Sequence, residues 1–457
     1  MNRRFALLLV APFFLLAACQ SAIEEHTLKN GMRIIVKVDR RSPVVVSQIW
    51  YRIGSIDEHP GKTGISHVLE HMMFKGTKKL KPGEFSKIIA RNGGRENAFT
   101  SQDYTAYFQT LERSRLPVAL ELEADRMQNL VIEEKELSRE VPVVMEERRL
   151  RTEDKPEGKL YEAFLKTAYR THPYGWPTIG SMDDLRSLTA DDVQSWYRQW
   201  YSPQNATLVI VGDVEPDDVF RLAKKYFAGI PRKVLPKRKI PPEPPQKETR
   251  RVTVKAPAKV PRILIGYHTP VITTDGKDWE PYALDVLAGV LDGGDSARFS
   301  RSLVRGQQIA SSAGAGYDAV SRAPSQFTLD ATPANGKSIV DVEAALLAEI
   351  EKIKTEPITQ QELDRVKAQV TASDVYQRDS MFYQGMEIGM LVMSGLDYRI
   401  GDQYVDRIDA ITARQVQDVA RRYLTSKNMT VAVLVPQPIK PVSRPRPAVP
   451  AGGHHVN

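Results

Sequence analysis

His67, Glu70 and His71 stand in the run Thr63-Gly64-Ile65-Ser66-His67-Val68-Leu69-Glu70-His71-Met72-Met73-Phe74. On a helix, the spacing i, i+3 and i+4 puts all three side chains on one face. Their neighbours Ile65, Val68, Leu69, Met72, Met73 and Phe74 are apolar, so the helix is expected to be substantially buried. Three ionisable groups on a buried face are costly unless they are paired or hold a metal. Two imidazoles one turn apart suit zinc, and a carboxylate between them can take a proton from water. A lone histidine pair would be read as two satisfied rings near a helix end. The glutamate at this offset turns the reading toward a metal.

Such a centre needs a third protein ligand and an open fourth position. Candidates lie in Ser138-Arg139-Glu140-Val141-Pro142-Val143-Val144-Met145-Glu146-Glu147. Seven residues separate Glu140 from Glu147, which places them on nearly the same helical face, whereas Glu146 is turned about 120° from Glu140. The spacing favours Glu147 as ligand and Glu140 as the group that holds a histidine in place. A charged, solvated face is the plainer alternative for this segment. Pro142 is expected to kink or interrupt the helix.

His67-Val68-Leu69-Glu70-His71 reads as the inverted zinc motif HxxEH. With a glutamate 147 − 71 = 76 residues further on, the chain resembles the pitrilysin-type M16 peptidases. The resemblance covers roughly His26 to Val435. It implies zinc at His67, His71 and Glu147, one ion per chain, with Glu70 as general base and Glu140 as a supporting residue. Asn97-Ala98-Phe99-Thr100-Ser101 resembles the edge strand on which M16 members bind substrate backbone by strand addition, implying that Asn97 and Ala98 contact substrate. His172-Pro173-Tyr174-Gly175 also recurs in that family and reads as a structural turn near the site. Arg305 fits a family arginine that contacts the substrate carbonyl. The tyrosine that accompanies it is replaced by Ser311 or Ser312, leaving Tyr317 or a partner chain to stand in for it.

The elements that must position these residues follow from pattern. Strand-like runs occupy 32–38, 44–51, 105–110 and 207–211; helical patterns occupy 64–74, 83–91, 113–129, 134–151 and 191–201. Strands cluster and then helices cluster, so the fold class expected is α+β, each half a mainly antiparallel sheet packed with helices. The two halves read as copies. Thr189-Ala190-Asp191-Asp192-Val193-Gln194 recurs, shifted by 412 − 189 = 223 residues, as Thr412-Ala413-Arg414-Gln415-Val416-Gln417, each followed by an apolar strand. The expected units are a targeting segment at 1–19, a zinc-binding half at 20–230, a proline- and charge-rich linker at 231–250, a second half at 251–437 and a disordered tail at 438–457.

Arg3 and Arg4 precede an apolar run that is too short for a comfortable membrane span, and Leu16-Ala17-Ala18-Cys19 resembles a lipobox. A plain secretory signal is the alternative. Cys19 is the only cysteine of the chain, so lipid attachment explains it better than disulfide chemistry. The fold would then lie in the periplasm, tethered through Cys19. Gln20 in place of an aspartate points, by resemblance to bacterial sorting, to the outer membrane. A net charge of +8 from 64 basic and 56 acidic residues is too mild to argue for nucleic acid.

M16 members enclose substrate between two halves of about this length each. The expected activity is therefore endopeptidase action on peptides or unfolded segments, by a homodimer or a heterodimer with a paralogous subunit. A non-catalytic or weakly active partner subunit, and a small-molecule zinc hydrolase or lyase, are the competing readings.

Overall fold

A computed structural model describes residues 23–274 and 278–439. Cys19 and residues 440–457 of the expected tail lie outside the described residues. The first half runs β1 (Ile23–Thr27), β2 (Arg33–Val38), β3 (Val44–Tyr51), α1 (Ile65–Met72), α2 (Glu84–Arg91), β4 (Arg95–Thr100), β5 (Thr105–Glu112), α3 (Leu116–Asn129), α4 (Glu134–Arg148), α5 (Pro156–Ala168), α6 (Met182–Ser187), α7 (Ala190–Trp200), β6 (Ala206–Gly212) and α8 (Pro216–Phe227). The second runs β7 (Arg250–Pro257), β8 (Arg262–Thr269), α9 (Glu280–Leu291), a π-helix (Phe299–Gly306), β9 (Ala310–Tyr317), β10 (Ser325–Pro333), α10 (Ile339–Thr355), α11 (Gln360–Arg378), α12 (Met381–Ser394), α13 (Ile400–Asp409), α14 (Ala413–Tyr423) and β11 (Met429–Gln437).

The strand orders are β1-β2-β6-β3-β5-β4 and β7-β11-β8-β10-β9. Apart from the extra edge strand β1, the second order repeats the first. Each sheet has one parallel pair, β2 with β6 and β7 with β11, and is otherwise antiparallel. The α+β expectation holds, and so does the duplication. Thr189 and Thr412 each close a capping box, with Asp192 and Gln415 respectively, and the 223-residue offset carries from Ala206 at the start of β6 to Met429 at the start of β11.

The central strands are apolar on both faces because both faces are covered. β6 is buried along its whole length, whereas β1, with the sequence Ile-Glu-Glu-His-Thr, is mostly exposed and charged at the sheet edge. The covers are exchanged between halves. α12 of the second half lies on the first sheet, where Gly389 lets the helix approach so closely that a Cβ would fall about 2.0 Å from the Trp50 ring. α5 of the first half lies on the second sheet, with Phe164 against Gly266. The two sheets are thereby tied into one body by apolar burial.

The proline-rich run after Ile230 forms neither helix nor strand until β7 begins at Arg250. It is pinned along its length: Arg238 donates to Asp57 at 2.9 Å, and the Glu243 carboxylate accepts the N–H groups of Arg170, Thr171 and His172.

Pro142 does not interrupt α4, contrary to the expectation from sequence. The carbonyl it leaves without a helical donor belongs to Ser138, and both residues are exposed, so water can satisfy that oxygen and the helix continues.

Candidate metal centre

α1 has no serine, threonine or aspartate at its N-cap. That position is Gly64, in the left-handed region at φ 86°, where the chain passes so close to Ile179 that a Cβ would meet its carbonyl oxygen at 2.5 Å. Glu58 supplies the cap, its two oxygens accepting the N–H groups of Gly64 at 2.8 Å and Ser66 at 2.9 Å. Trp196 Nε1 donates to Ser66 Oγ, which ties the first turn to α7. Every residue of α1 except His71 is buried, and His71 is half-buried.

α4 packs beside α1 and brings its carboxylates to the histidines. Glu147 Oε2 lies 3.5 Å from Nε2 of His67 and 3.5 Å from Nε2 of His71. The ligand atoms of His67, His71 and Glu147 all lie within 4.8 Å of one another, and the two rings stand 82° apart. His71 Nδ1 is 2.9 Å from Glu140 Oε1, and Lys75 Nζ holds the other Glu140 oxygen at 2.5 Å. Glu140 thus engages Nδ1 of His71 and leaves Nε2 aimed at the cluster, the arrangement that orients a metal-ligating histidine. Arg151 pairs with Glu147 Oε1 at 2.9 Å. Two imidazoles and one carboxylate converging on one point is a donor set that fits zinc.

The electrostatics agree with a cation site. Burial raises Glu147, but His71, His67 and Arg151 outweigh it and hold the carboxyl at about 2. Burial lowers His71, yet Glu140, Glu147 and Glu70 bring it up to about 9. The cluster therefore stabilises positive charge at its centre. Glu70 differs: burial dominates and pushes it up to about 7, while the Thr100 hydroxyl donates to its Oε2 at 2.5 Å. A carboxyl near neutrality beside the cluster can both take and return a proton.

A cavity of about 480 Å³ opens beside His67, walled by Thr100, Arg151, Tyr161, Leu165 and Trp176. β4, the outermost strand of its sheet, runs past the centre with only β5 as a sheet neighbour. Asn97 pairs across to Phe108, and the Ala98 N–H is held by the side-chain oxygen of Asn97 at 2.9 Å.

Residues 33–181 match the family described as Insulinase (Peptidase family M16), and residues 187–370 match the Peptidase M16 inactive domain. Zinc protease PqqE of Helicobacter pylori is 39% identical over 360 residues, 76% of this chain and 79% of that protein. The chain belongs to peptidase family M16. The crystal structure of a protease from Helicobacter pylori matches this M16 fold with a TM-score of 0.86 at 33% identity, over 91% of this chain and 100% of that one. The periplasmic protease PqqL from Escherichia coli shares the fold at 19% identity with a TM-score of 0.76, over 92% of this chain and 49% of its own.

Against this M16 frame, the structure brings together His67, Glu70, His71, Glu140 and Glu147, with Asn97 and Ala98 on the adjoining edge strand. It does not bring Arg305 to them. Arg305 lies on the π-helix of the second half and lines a different cavity that shares no residue with the one at His67. The reason is topological: that helix belongs to the second sheet's layer, packing on β9 and α10. Tyr317 does not replace the missing tyrosine within the chain either, since its hydroxyl donates to the Pro270 carbonyl and its ring stacks on Phe327. Ser311 donates to the Thr332 carbonyl. His172 sits in the expected turn, its Nδ1 accepting the Tyr174 N–H.

Sequence reasoning missed four participants. Lys75 and Arg151 stand four residues beyond His71 and Glu147, a spacing that puts them on the same faces and was available to find them. Thr100 lies in the quoted edge-strand motif without an assigned role. Glu58 has no local signature.

Proposed function

We propose that this chain is a zinc-dependent endopeptidase acting on peptides or unfolded protein segments, with one Zn²⁺ held by His67, His71 and Glu147 and with Glu70 as general base. The observation that carries the reading is the convergence of three ligand atoms within 4.8 Å next to a buried carboxyl raised to about 7. His67, His71 and Glu147 would hold a zinc ion that, when bound, would supply Lewis acidity toward a scissile carbonyl and a lowered pKa for water. Glu70, its Oε2 oriented by Thr100, takes the proton of the attacking water and delivers it to the leaving amine. Glu140, held by Lys75, fixes His71. The free edge of β4 offers Asn97 and Ala98 for backbone pairing with an extended substrate.

Cleavage of an unfolded protein and of quenched-fluorescent peptides by wild type beside Glu70→Gln tests this. The expected result is a fall of at least ~100-fold with zinc retained. Undiminished cleavage in the variant, or stoichiometric zinc with no cleavage alone or with a paralogous partner, would overturn it.

We infer further that two such chains pair. PqqL contains this fold in about half its length, and Arg305 lies away from the centre within one chain, so a second copy or a paralogue would have to present it. The same separation, with Ser311 and Ser312 in place of a tyrosine, favours the second reading, a weakly active or non-catalytic subunit of a heterodimer. The lipobox-like sequence supports anchoring at Cys19 on the periplasmic side of the outer membrane. Incorporation of labelled lipid that persists in Cys19→Ser would refute the anchor.

A further inference from the structure

A second cavity, about 440 Å³ in volume, is lined by four arginines, Arg298, Arg301, Arg305 and Arg365, and by a single carboxylate, Glu362. Its remaining lining residues, Ser296, Thr359 and Gln361, are uncharged and polar. Three of the arginines follow from sequence spacing: Arg298, Arg301 and Arg305 fall at i, i+3 and i+7 along the π-helix and its preceding residue. Arg365 comes from α11 on the other side. The excess is 4 − 1 = 3 positive charges around one cavity.

The four are not equivalent. Arg298 forms two hydrogen bonds to Glu362, at 2.7 and 2.9 Å, and is largely buried with it. Arg365 donates to the carbonyls of Gly293 at 2.8 Å and Gly289 at 3.0 Å, which fixes its position but neutralises nothing. Burial lowers the Arg365 pKa; Glu362 opposes the shift, and the charge of Arg301 adds a smaller push in the same direction as burial. Arg301 reaches only the oxygen that Arg298 already uses, at 3.5 Å, and 60% of its side chain is exposed. Arg305 donates to the Asp295 carbonyl and carries no carboxylate partner among the described residues. Two guanidiniums are thus packed into the wall by other contacts, while Arg301 and Arg305 line the cavity with one long ion pair, to a carboxylate that Arg298 already engages, between them. Guanidinium forks of this kind match the planar oxygens of carboxylate and phosphate.

We propose that this cavity is a binding site for a multivalent oxyanion, phosphate or clustered carboxylates, gripped by Arg301 and Arg305 against the fixed charges of Arg298 and Arg365. It shares no lining residue with the cavity at His67, and no part of the inference depends on peptide cleavage.

Calorimetric titration of the whole zinc-loaded chain at low salt, with inorganic phosphate and separately with acetyl-Glu-Glu-Glu-amide, tests it. At least one probe is expected to bind saturably, one per chain, with affinity that falls as salt rises. Arg301→Gln should weaken binding roughly tenfold and Arg301→Glu should abolish it, whereas Arg301→Lys should retain most of it. Competition between the probes makes the site a general oxyanion site. Binding of the peptide alone assigns it to acidic polypeptide, and binding of phosphate alone to a free anion. Because Arg301 crowds like charges, Arg301→Gln should melt no lower than wild type without anion, and phosphate should raise the melting temperature of wild type more than of the variant. Absence of saturable binding for both probes, or wild-type affinity in Arg301→Glu, overturns the proposal.

Discussion

The two halves place equivalent helices in equivalent seams and use them in opposite ways. In the first, α1 follows β3 and faces α4; His67 and His71 meet Glu147 and Glu140 across the seam, and Glu70 accepts from Thr100 on β4. In the second, α9 follows β8 and packs on α11 with a face of Ala, Val and Leu, and Val366 fills the space at Gly289 so fully that a Cβ there would meet it at 2.8 Å. The topology therefore does not dictate chemistry. A seam of this kind is stable if it is filled with apolar atoms or if every buried polar group is satisfied, and only the second solution leaves a place for a cation.

Breaking the polar seam should have the largest effect. Glu147→Ala is expected to take zinc content, measured by atomic emission after gel filtration, from one ion per chain to nearly none, with no residual metal held by the second half. Retention of one ion would place the centre elsewhere. Glu140→Gln leaves the ligands intact and should weaken zinc affinity about 10- to 100-fold, read by chelator competition.

The halves are also joined by charge. Arg322 of the second half, with 4% of its side chain exposed, forms two hydrogen bonds to Asp57, which is 1% exposed, and its backbone N–H donates to Asp103 at 3.0 Å. Truncation would leave Asp57 with Arg238 as its remaining cation. Arg322→Ala should cost about 3–5 kcal/mol in urea unfolding. A loss below ~1 kcal/mol would mean that the exchanged helices α5 and α12 alone hold the halves together.

Breaking the apolar seam should cost less. Val366 is 2% exposed, and Val366→Ala removes two buried methyl groups, for an expected loss of about 2 kcal/mol with zinc content unchanged. A loss of zinc in this variant would show that the two seams are coupled.

The contrast between seams also marks what could be read from the chain alone. His67, Glu70, His71, Glu140 and Glu147 were legible because helical period is a local property, and the seven-residue spacing in α4 survives Pro142. β3 was legible from end to end, since its apolar run is bounded by turns. The exchange of α5 and α12 was not, because a helix covering the other half's sheet has the same pattern as one covering its own. Glu58 was not, because it caps amides six and eight residues away through a loop conformation that no spacing rule encodes. Arg305 was placed by family resemblance, which speaks of an assembled enzyme, while the single chain sets it among Arg298, Arg301 and Arg365.

The smallest expected effect concerns the segment between the halves, and pH isolates it. Burial raises Glu243, but the N–H groups of Thr171, Arg170 and His172 together with Arg250 outweigh that and hold the carboxyl at about 2, against 4.5 for an ordinary glutamate. A folded pKa below the unfolded one means that the ionised group stabilises the fold. Its contribution is fully present above pH ~4.5 and is lost as the pH falls toward 2. Glu243→Gln keeps an acceptor oxygen but not the charge, so it should lower stability by ~1 kcal/mol at pH 7, seen in the urea midpoint, with the difference from wild type shrinking between pH 4.5 and 3. A difference that stays constant over that range would mean that Glu243 holds the strap by shape alone. In that case the join between the halves would rest on Arg322 and the exchanged helices, with the proline-rich segment serving only as a tether.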